Sequence, residues 1–412
     1  MAIKTAEKHL PLAETVEAQG HLIDSHIMER IFDTVVEFGG RFEVEQFSIG
    51  RTNSDPSSLR LRVEASSQDQ LERMMTQLLG LGCAPADQEE AELKPSAQDR
   101  CVPEDFYSTT NQRTLVRHRG RWIEVRNQRM DAMIVVRERD AECRRLRDVK
   151  AGDLVVTGTK GIRVVPEAKE RDRLAFAFMS NEISSERQVE TAVSQTAAIM
   201  RQVREEGRKI VFVAGPVVVH TGGCGPLARL IRGGWMDALL AGNALAVHDI
   251  EAALLGTSLG VRTSDGRLEE HGHRNHMRAI NVVNHAGSIA KAVKSGRLTS
   301  GIMYECVKAK VPFVLAGSLR DDGPLPDVIT DMNEAQDAYA AQLRDAGVVL
   351  CLSSMLHAIA TGNMLPAWVK IVCVDINPAV PTKVSDRGTG QAVGVVTDVG
   401  LFLDLLARKL EA

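Results

Sequence analysis

The sequence predicts an α/β protein whose last domain is a parallel, Rossmann-like sheet covered by helices on both faces. Two apolar runs near the C-terminus, residues 371–375 and 393–397, are short and rich in β-branched side chains, as buried parallel strands are. An acid closes each run, Asp375 in the first case and the next residue, Asp398, in the second. Because similar runs alternate with helical patterns from residue 209 onward, we expect a doubly wound sheet.

The length of the chain predicts more than one domain. A single core seldom holds 412 residues, and the changes of rhythm predict domains at 1–111, 112–182 and 183–412. The first domain resembles an α+β ferredoxin-like module, with strands and helices in the order strand-helix-strand-strand-helix. These elements are expected at residues 15–23, 25–38, 41–49, 58–64 and 69–80.

Two polar stretches separate the predicted elements of the first part of the chain. Residues 50–57, rich in Asn, Ser, Asp and Pro, are predicted to form a turn, and residues 84–112 a linker. Residues 114–166 contain several β-branched runs and predict a small β-rich middle domain. A charged connector at residues 183–208, predicted to be helical, leads into the last domain.

The loops of the last domain are the expected location of function. In open parallel sheets, ligands bind beyond the carboxyl ends of the strands. A loop that carries Gly, Asn, Asp or Ser follows each predicted strand. The predicted strands are residues 209–220, 238–240, 311–316, 348–351, 371–375 and 393–397.

Composition excludes several classes of function. A net charge of −4 and a pI near 6.3 give no broad basic field for nucleic acid. Without an uninterrupted apolar run of membrane-spanning length or a signal peptide, a cytoplasmic protein with no membrane partner is expected. The 7 cysteines are scattered and never form C-x-x-C, so neither a disulfide framework nor a cysteine zinc site is predicted.

A nucleotide site would have to be assembled from several loops, because no G-x-G-x-x-G fingerprint stands between a strand and a helix. Asp375 could accept hydrogen bonds from a ribose, or merely cap a turn. The glycine-rich stretch 214–226 suits an anion, although a plain strand-to-helix turn explains its glycines equally well. Asn243 could donate to a cofactor or tolerate a left-handed turn. The loops 316–327 and 351–358 follow two further strands.

Histidines are concentrated in the last domain. His271, His273 and His276 lie in a polar loop without a carboxylate or thiolate at a set spacing, so no metal is expected there, and surface or substrate contact is favoured. His220 and His285 are candidates for proton transfer, because a neutral imidazole can act as acid or base near pH 7. A satisfied core histidine is an equal alternative for both.

Six segments together resemble the archaeal-type ornithine cyclodeaminases, and the resemblance covers nearly the whole chain. The segments are V-x-V-H-T-G-G at 217–223, G-N-A-L-A-V-H-D-I-E at 242–251, H-R-N-H at 273–276, A-G-S-L-R-D-D-G-P-L-P-D at 316–327, S-S-M-L-H-A-I-A-T-G-N at 353–363 and V-D-I-N-P at 374–378.

The resemblance implies both a fold and a reaction. It implies an N-terminal region shared with lysine-oxoglutarate reductase/saccharopine dehydrogenase (LOR/SDH) enzymes and a C-terminal domain similar to the NAD-binding fold of deoxyhypusine synthase. It also implies conversion of L-ornithine to L-proline and ammonia with tightly held NAD that is regenerated in each turnover. The carbon that bears the α-amine is oxidised to an imine, the distal amine closes the ring, ammonia leaves, and the cyclic imine is reduced.

The family's cofactor positions can be carried onto this sequence residue by residue. They fall on Asn243, Ala244, Asp322, Ser354, Met355, Leu356, His357, Asp375, Asp398 and Val399. The chemistry of ornithine, rather than the family, suggests where the substrate binds. It places the carboxylate at the 221–223 turn, the ammonium groups at Asp249 and the proton transfers at His220 and His285.

Three other functions stay open from the sequence. A saccharopine- or lysine-type NAD-dependent dehydrogenase would share the N-terminal region but release NADH. A deoxyhypusine-synthase-like aminobutyl transferase would need an imine-forming lysine, for which Lys308 and Lys383 are candidates. A non-catalytic amino-acid-sensing regulator would bind its ligand without turnover. A homo-oligomer is expected in any of these cases.

Overall fold

The computed structural model of the chain forms two compact units. The first unit comprises residues 1–172 and 365–368, and the second comprises residues 173–364 and 369–412. Within the described ranges, no helix combines the length and the apolar character needed to span a bilayer. The structure describes residues 10–20, 22, 27–50, 57–86, 89–165, 185–262, 267–269, 272–321, 323–386 and 392–411.

The first unit begins with an antiparallel four-stranded sheet in the order β2-β3-β1-β4, which confirms the ferredoxin-like prediction. The predicted turn at 50–57 lies almost wholly outside the described residues. Ser67 begins the second helix because its side chain accepts a hydrogen bond from the Gln70 amide. The elements are β1 (Leu12–Gly20), α1 (Ile27–Glu37), β2 (Arg41–Ser48), β3 (Ser57–Ala65), α2 (Gln68–Gly80) and β4 (Cys83–Pro85).

A second sheet of seven strands follows in the same unit, as the β-rich pattern predicts. The expected linker at 84–112 is wrong, because residues of that stretch pair in both sheets: β4 lies beside β1, and β5 lies beside β10. Polar residues on exposed edge strands resemble a linker in sequence. The order is β11-β6-β7-β9-β8-β10-β5. The strands are β5 (Glu92–Pro95), β6 (Arg113–His118), β7 (Arg121–Arg126), β8 (Met133–Arg137), β9 (Asp140–Arg144), β10 (Leu154–Thr157) and β11 (Ile162–Val165).

The second unit is built on a seven-stranded sheet in which every pairing is parallel, which confirms the predicted fold class. Its order is β17-β16-β13-β12-β18-β19-β20. The elements are α3 (Ser185–Glu205), β12 (Lys209–Ala214), α4 (Val217–His220), α5 (Cys224–Arg232), β13 (Ala238–Gly242), α6 (Asn243–Leu255), β14 (Thr257–Ser258), β15 (Val261–Arg262), α7 (Asn275–Ala286), α8 (Ile289–Lys294), α9 (Ile302–Ala309), β16 (Phe313–Ala316), β17 (Val328–Ile329), α10 (Met332–Leu343), β18 (Ala346–Leu352), α11 (Met355–Met364), β19 (Lys370–Asp375), α12 (Ala379–Asp386), β20 (Ala392–Val396) and α13 (Val399–Glu411).

Both faces of this sheet are covered by helices. On β12, Ile210, Phe212 and Ala214 belong to one core together with residues of α3, α5, α6, α9 and α13. Helices α10, α11 and α12 contact one another in turn and form the layer on the other face. Since the strands are buried on both sides, their sequences read as continuous apolar runs rather than as alternating ones.

The strand predicted at 209–220 is shorter than expected, and its second half is helical. β12 ends at Ala214, and three consecutive valines then begin α4. Pro216 explains the change, because it has no amide to donate to a ladder and its φ of −63° suits the start of a helix. This early end places His220 beyond the sheet rather than within it.

We expect the Leu350→Ala substitution to lower the free energy of unfolding of the second unit by about 2–5 kcal/mol, because it leaves a cavity in a central strand. Leu350 is fully buried at 0% exposure. Urea denaturation followed by circular dichroism measures the change. Leu401→Ala is the matched control, since Leu401 is 49% exposed and should lose little. Equal losses in the two variants would contradict this account of the core.

Candidate active site at the carboxyl edge of the parallel sheet

The candidate site lies where the strand order of the parallel sheet reverses. From β12 the chain continues to β13, β16 and β17 on one side, whereas β18, β19 and β20 lie on the other side. At such a reversal the loops on neighbouring strands lead away in opposite directions and leave a crevice outside the carboxyl ends. The loops that follow β12 and β18 therefore form the centre of the candidate site.

The backbones that leave β12 and β18 touch at this reversal. The Gly215 amide donates a hydrogen bond to the Leu352 carbonyl at 2.9 Å. A Cβ atom on Gly215 would lie 2.1 Å from the Ser353 carbonyl oxygen, so a larger residue would force the backbones apart. Ser353 itself has a φ of 46°, in the left-handed region that favours glycine. The contact fixes where both of the following turns begin.

The unit β18-α11-β19 has the layout of a dinucleotide-binding βαβ unit without the glycine fingerprint. Its turn is Ser353-Ser354, α11 begins directly afterwards, and Asp375 ends β19 22 residues after Ser353 (375 − 353). In the usual fold, the helix N-terminus faces a diphosphate and an acid about 20 residues further on accepts a ribose. The Asp375 carboxylate is half-exposed and accepts a hydrogen bond from the Asn377 amide at 2.8 Å. The unit therefore suits a dinucleotide.

His357, in the first turn of α11, lies over the end of β13. A Cβ atom on Gly242 would be 2.9 Å from the His357 Cε1 atom. Tyr339 lies beside it, with ring centroids 6.0 Å apart, and donates its hydroxyl to the Ala241 carbonyl at 2.8 Å. Burial lowers the pKa of His357, so its imidazole is neutral at pH 7. The other predicted residues of this turn are half-buried or exposed: Ser354, Met355 and Leu356.

Asn243 is buried at the start of α6 and joins that helix to the loop after β16. Its side-chain Nδ2 atom donates to the Asp321 carboxylate at 3.1 Å, and its side-chain Oδ1 atom accepts a hydrogen bond from the Leu325 amide at 3.1 Å. In this geometry Asn243 positions the loop. Ala244, the next residue, is exposed. Asp322 lies outside the described residues.

Asp398 and Val399 lie at the same edge of the sheet as Asp375. The Thr397 amide donates to the Asp375 carbonyl at 3.2 Å, which joins the ends of β20 and β19. The Asp398 carboxylate accepts the Leu401 amide at 2.8 Å and so caps α13. Val399 is buried at 1% exposure. The structure therefore brings three of the predicted cofactor residues together.

The glycine-rich turn after α4 does not offer the amides expected of an anion site. The amides of residues 221–223 donate hydrogen bonds to carbonyl oxygens of the preceding turn, those of Val217, Val219 and Val218. The expectation that they bind the substrate carboxylate is therefore not supported. The turn instead meets α13, since a Cβ atom on Gly400 would lie 2.2 Å from the Thr221 carbonyl oxygen.

A network of polar side chains, which we call the His–Glu network, lies between α4, α6, β14 and α7. Glu251 is fully buried and accepts hydrogen bonds from the Thr257 hydroxyl at 2.8 Å and from the Leu259 and Gly260 amides at 3.1 and 3.0 Å. The His248 Nδ1 atom lies 3.3 Å from the second carboxylate oxygen. The members of the network are His220, His248, Glu251, Thr257, Ser258 and Asn275.

His220 is the exposed end of this network. Its Nδ1 atom lies 2.8 Å from the Ser258 hydroxyl, and its ring centroid is 5.1 Å from that of His248. Burial, followed by the nearby His248, lowers the pKa of His220, although Glu251 acts in the opposite direction. Burial would raise the pKa of Glu251, but the hydrogen bonds that it accepts lower it overall. A neutral imidazole and an anionic carboxylate therefore share one network at pH 7.

Sequence reasoning missed His248 and Glu251. The only signal was their spacing of three residues within the H-D-I-E stretch, which places them on one face of a helix. Nothing in that pattern shows that the face is buried against β14, where Thr257 lies.

Asp249 serves the fold rather than the substrate in this structure. Its two carboxylate oxygens accept the Ile302 and Met303 amides, each at 2.8 Å, at the N-terminus of α9. The side chain is 1% exposed, so the expected contact with an ornithine ammonium group is not supported. Gly301 makes room for it, because a Cβ atom there would lie 2.8 Å from the carboxylate. Burial raises the pKa of Asp249 to about 6.

The remaining predicted histidines are not brought into the network. His285 is exposed in the last turn of α7, about 15 Å along the helix from Asn275 at a rise of about 1.5 Å per residue. His276 is half-buried at the start of the same helix. His271 and the side chain of His273 lie outside the described residues. In the part of the chain that the structure describes, no group of three residues could hold a metal ion.

Three family models match consecutive parts of the chain. The Rossmann fold of the ArgZ-like arginine dihydrolase C-terminal region matches residues 194–406. The conserved region of the LOR/SDH bifunctional enzymes matches residues 13–112. The first region of the ArgZ-like C-terminal part matches residues 113–193.

Several curated proteins are similar over nearly the whole chain. The ornithine cyclodeaminase of Methanocaldococcus jannaschii is 50% identical over 404 residues, which is 96% of this chain and 96% of that protein. The bifunctional arginine dihydrolase/ornithine cyclodeaminase AgrE of Nostoc sp. is 49% identical over 405 residues, which is 96% of this chain but 58% of AgrE. The chain thus spans about three fifths of that relative.

Solved structures agree with these matches. The apo structure of cyanobacterial ArgZ aligns with a TM-score of 0.86 and 44% identity, over 100% of this chain and 60% of ArgZ. The ternary complex of AgrE with ornithine and NAD+ aligns with a TM-score of 0.53 and 48% identity, over 98% of this chain and 59% of AgrE.

We expect the contribution of Asp249 to stability to decrease as the pH rises. Its pKa is raised to about 6 in the folded chain, above the ordinary value of 3.8, so the folded state binds more protons between these two pH values. Relative to Asp249→Asn, the wild-type free energy of unfolding should fall by about 2–3 kcal/mol from pH 4 to pH 6. Urea titrations of both proteins measure this difference. A difference that does not change with pH would show that Asp249 is not a buried, titrating cap.

Proposed function

Because the chain belongs to the archaeal-type ornithine cyclodeaminase family, we propose that it converts L-ornithine to L-proline and ammonia with NAD bound at the carboxyl edge of its parallel sheet. The proposal rests most directly on the reversal between β12 and β18, which provides a crevice with a dinucleotide-type βαβ unit on one side. A relative with 48% identity, AgrE, forms a ternary complex with ornithine and NAD+.

The residues at the carboxyl edge of the parallel sheet fit NAD. Gly215 adds no side chain beside the Ser353-Ser354 turn, and a diphosphate would bind at the N-terminus of α11 that follows this turn. Asp375 would accept the hydroxyls of the adenosine ribose, and the Asp398 loop lies beside it. His357, held neutral by burial, lies on the β13 side of the same turn. We therefore place the adenosine half over β19 and the nicotinamide half toward β12 and β13.

The chain would supply orientation and proton transfer to the reaction. Bound NAD supplies a hydride acceptor and later a hydride donor, so the overall reaction is redox neutral. Ring closure benefits from the high effective molarity of an amine held close to the imine carbon within one molecule. Exclusion of water protects the imine from hydrolysis. His220, which is exposed at the end of α4, is the group that we assign to proton transfer.

One rival function has less support from the described residues. An aminobutyl transferase needs a lysine that forms an imine within a pocket, and both Lys308 and Lys383 are exposed in the last turns of α9 and α12.

A reducing compartment is favoured by the free state of all the cysteines, so we place the reaction in the cytoplasm.

Purified protein incubated with L-ornithine and a catalytic amount of NAD should produce proline and ammonia in equal amounts. Because the same electron pair leaves and returns, no NADH should accumulate. Amino-acid analysis, an ammonia assay and absorbance of the reduced nicotinamide measure the three quantities. Net NADH with lysine or saccharopine would favour the dehydrogenase. Ornithine binding without any product would favour the amino-acid sensor, and either result would exclude our assignment.

Asp375→Ala should weaken NAD binding about tenfold or more, because each hydrogen bond to a charged group contributes about 1.5–3 kcal/mol. Calorimetric titration with NAD measures the affinity, and circular dichroism checks that the fold is intact. Asp99→Ala is the matched control. Its carboxylate also accepts a backbone amide, that of Ala151, but it lies in the first unit. An Asp375→Ala protein with unchanged affinity would refute the ribose assignment.

A further inference from the structure

The His–Glu network contains more acid–base groups than a structural role requires. Glu251 has no exposed surface, and His248 is only 8% exposed, yet both are ionisable groups on one helix. Buried ionisable residues are rare unless they are paired, and they are found most often where a protein needs them for function. Their neighbour His220 is exposed at the end of α4, just beyond β12 of the candidate site.

We infer that His220 and His248 act as one proton-transfer unit in the ornithine reaction, with Glu251 as the residue that positions it. This inference rests on the proposed function and deepens it. It assigns His220 as the member that meets the substrate and His248 as the buried neighbour whose charge acts on His220. The evidence is the contact between the His248 Nδ1 atom and the Glu251 carboxylate at 3.3 Å, together with the ring contact between His248 and the exposed His220 at 5.1 Å.

Glu251 determines which nitrogen of His248 carries a proton. The carboxylate accepts hydrogen bonds from one hydroxyl and two amides, and its overall pKa is lowered, so it stays anionic. An anionic oxygen 3.3 Å from Nδ1 requires a proton on that nitrogen. The Nε2 atom of His248 is then the one that can accept a further proton. The positive charge that results would be balanced by Glu251.

Protonation of His248 opposes protonation of His220, because the two ring centroids are only 5.1 Å apart, whereas the Glu251 carboxylate favours protonation of His220. Other groups face the pair from the neighbouring elements: the Ser258 and Thr257 hydroxyls from β14 and Asn275 from α7. The Arg278 guanidinium donates to the side-chain Oδ1 atom of Asn275 at 3.5 Å, and Asp249, on α6, is directed toward α9 instead.

The number of protons that such a unit would take from ornithine equals the number that it would return to the products. Two protons leave ornithine, one from the α-ammonium group before its carbon is oxidised and one from the δ-ammonium group before it attacks. The bond between the δ-nitrogen and the α-carbon then forms, and the bond from that carbon to the α-nitrogen breaks. One proton returns to the departing ammonia and one to the ring nitrogen of proline after reduction, so the unit ends as it began.

His220→Gln, His248→Gln and Glu251→Gln test this inference, with His118→Gln as a matched control in the first unit. We expect kcat of His220→Gln to fall about a hundredfold or more, the usual effect of a lost general base. In His248→Gln, the pKa of His220 should rise because a neighbouring positive charge is removed. In Glu251→Gln it should fall because an anion is removed. The acid limb of the kcat–pH profile should therefore move to higher pH in His248→Gln and to lower pH in Glu251→Gln.

A second measurement does not depend on activity. Imidazole resonances of the protein without cofactor, followed by NMR across the pH range, report the pKa of His220 directly in each variant. An unchanged value in both His248→Gln and Glu251→Gln would overturn the inference, as would wild-type pH profiles in these variants. If Glu251→Gln does not fold, His248→Gln decides alone. A wild-type protein that does not turn over ornithine would instead show that the proposed function is wrong.

Discussion

The approach of two backbones at the reversal of the parallel sheet is the constraint on which the rest of the site depends. Gly215 and Ser353 meet where a Cβ atom would lie 2.1 Å from a carbonyl oxygen. This contact starts α4 on one side and α11 on the other. It therefore sets the position of His220 relative to the turn that would hold a diphosphate. In the usual dinucleotide fingerprint, the glycines of a single turn allow the close approach of the backbone. Here Gly215, which follows the neighbouring strand β12, and Ser353, with its left-handed φ, allow it together.

Helix α6 is the second element that organises the site, because its buried polar residues form hydrogen bonds with several different neighbouring elements. Asn243 positions the loop after β16, Asp249 caps α9, and His248 and Glu251 enter the His–Glu network. Each buried polar group is stabilised by hydrogen bonds, as the cost of burying an unpaired one requires. Because four polar residues of this largely buried helix bond to different neighbours, the helix holds those neighbours in one arrangement, and an acid–base site needs such rigidity.

The sequence was sufficient for much of the fold but not for the site. Continuous β-branched runs predicted the parallel sheet correctly, because strands buried on both faces have that pattern. The strand predicted at 209–220 was too long. The three valines after Pro216 favour a strand by their intrinsic propensity, but in the structure they form the helix α4. Asp375 could be singled out because its place at a strand end is visible in sequence. The partners of Asp249 and Glu251 could not, because they lie at sequence separations of up to 54 residues or in loops without a pattern.

The two sides of the reversal divide the chemistry between them. On the side of β18, β19 and β20 lie a helix N-terminus, Asp375 and Asp398, which suit the ribose and diphosphate of a nucleotide. On the side of β12 and β13 lie His220 and the buried Glu251, which suit proton transfer. The proposed reaction, which removes a hydride and returns it to the same carbon, needs the nicotinamide ring to stay in place while protons move around it. Separate elements for the cofactor and for the protons meet that need, because neither has to move when the other acts.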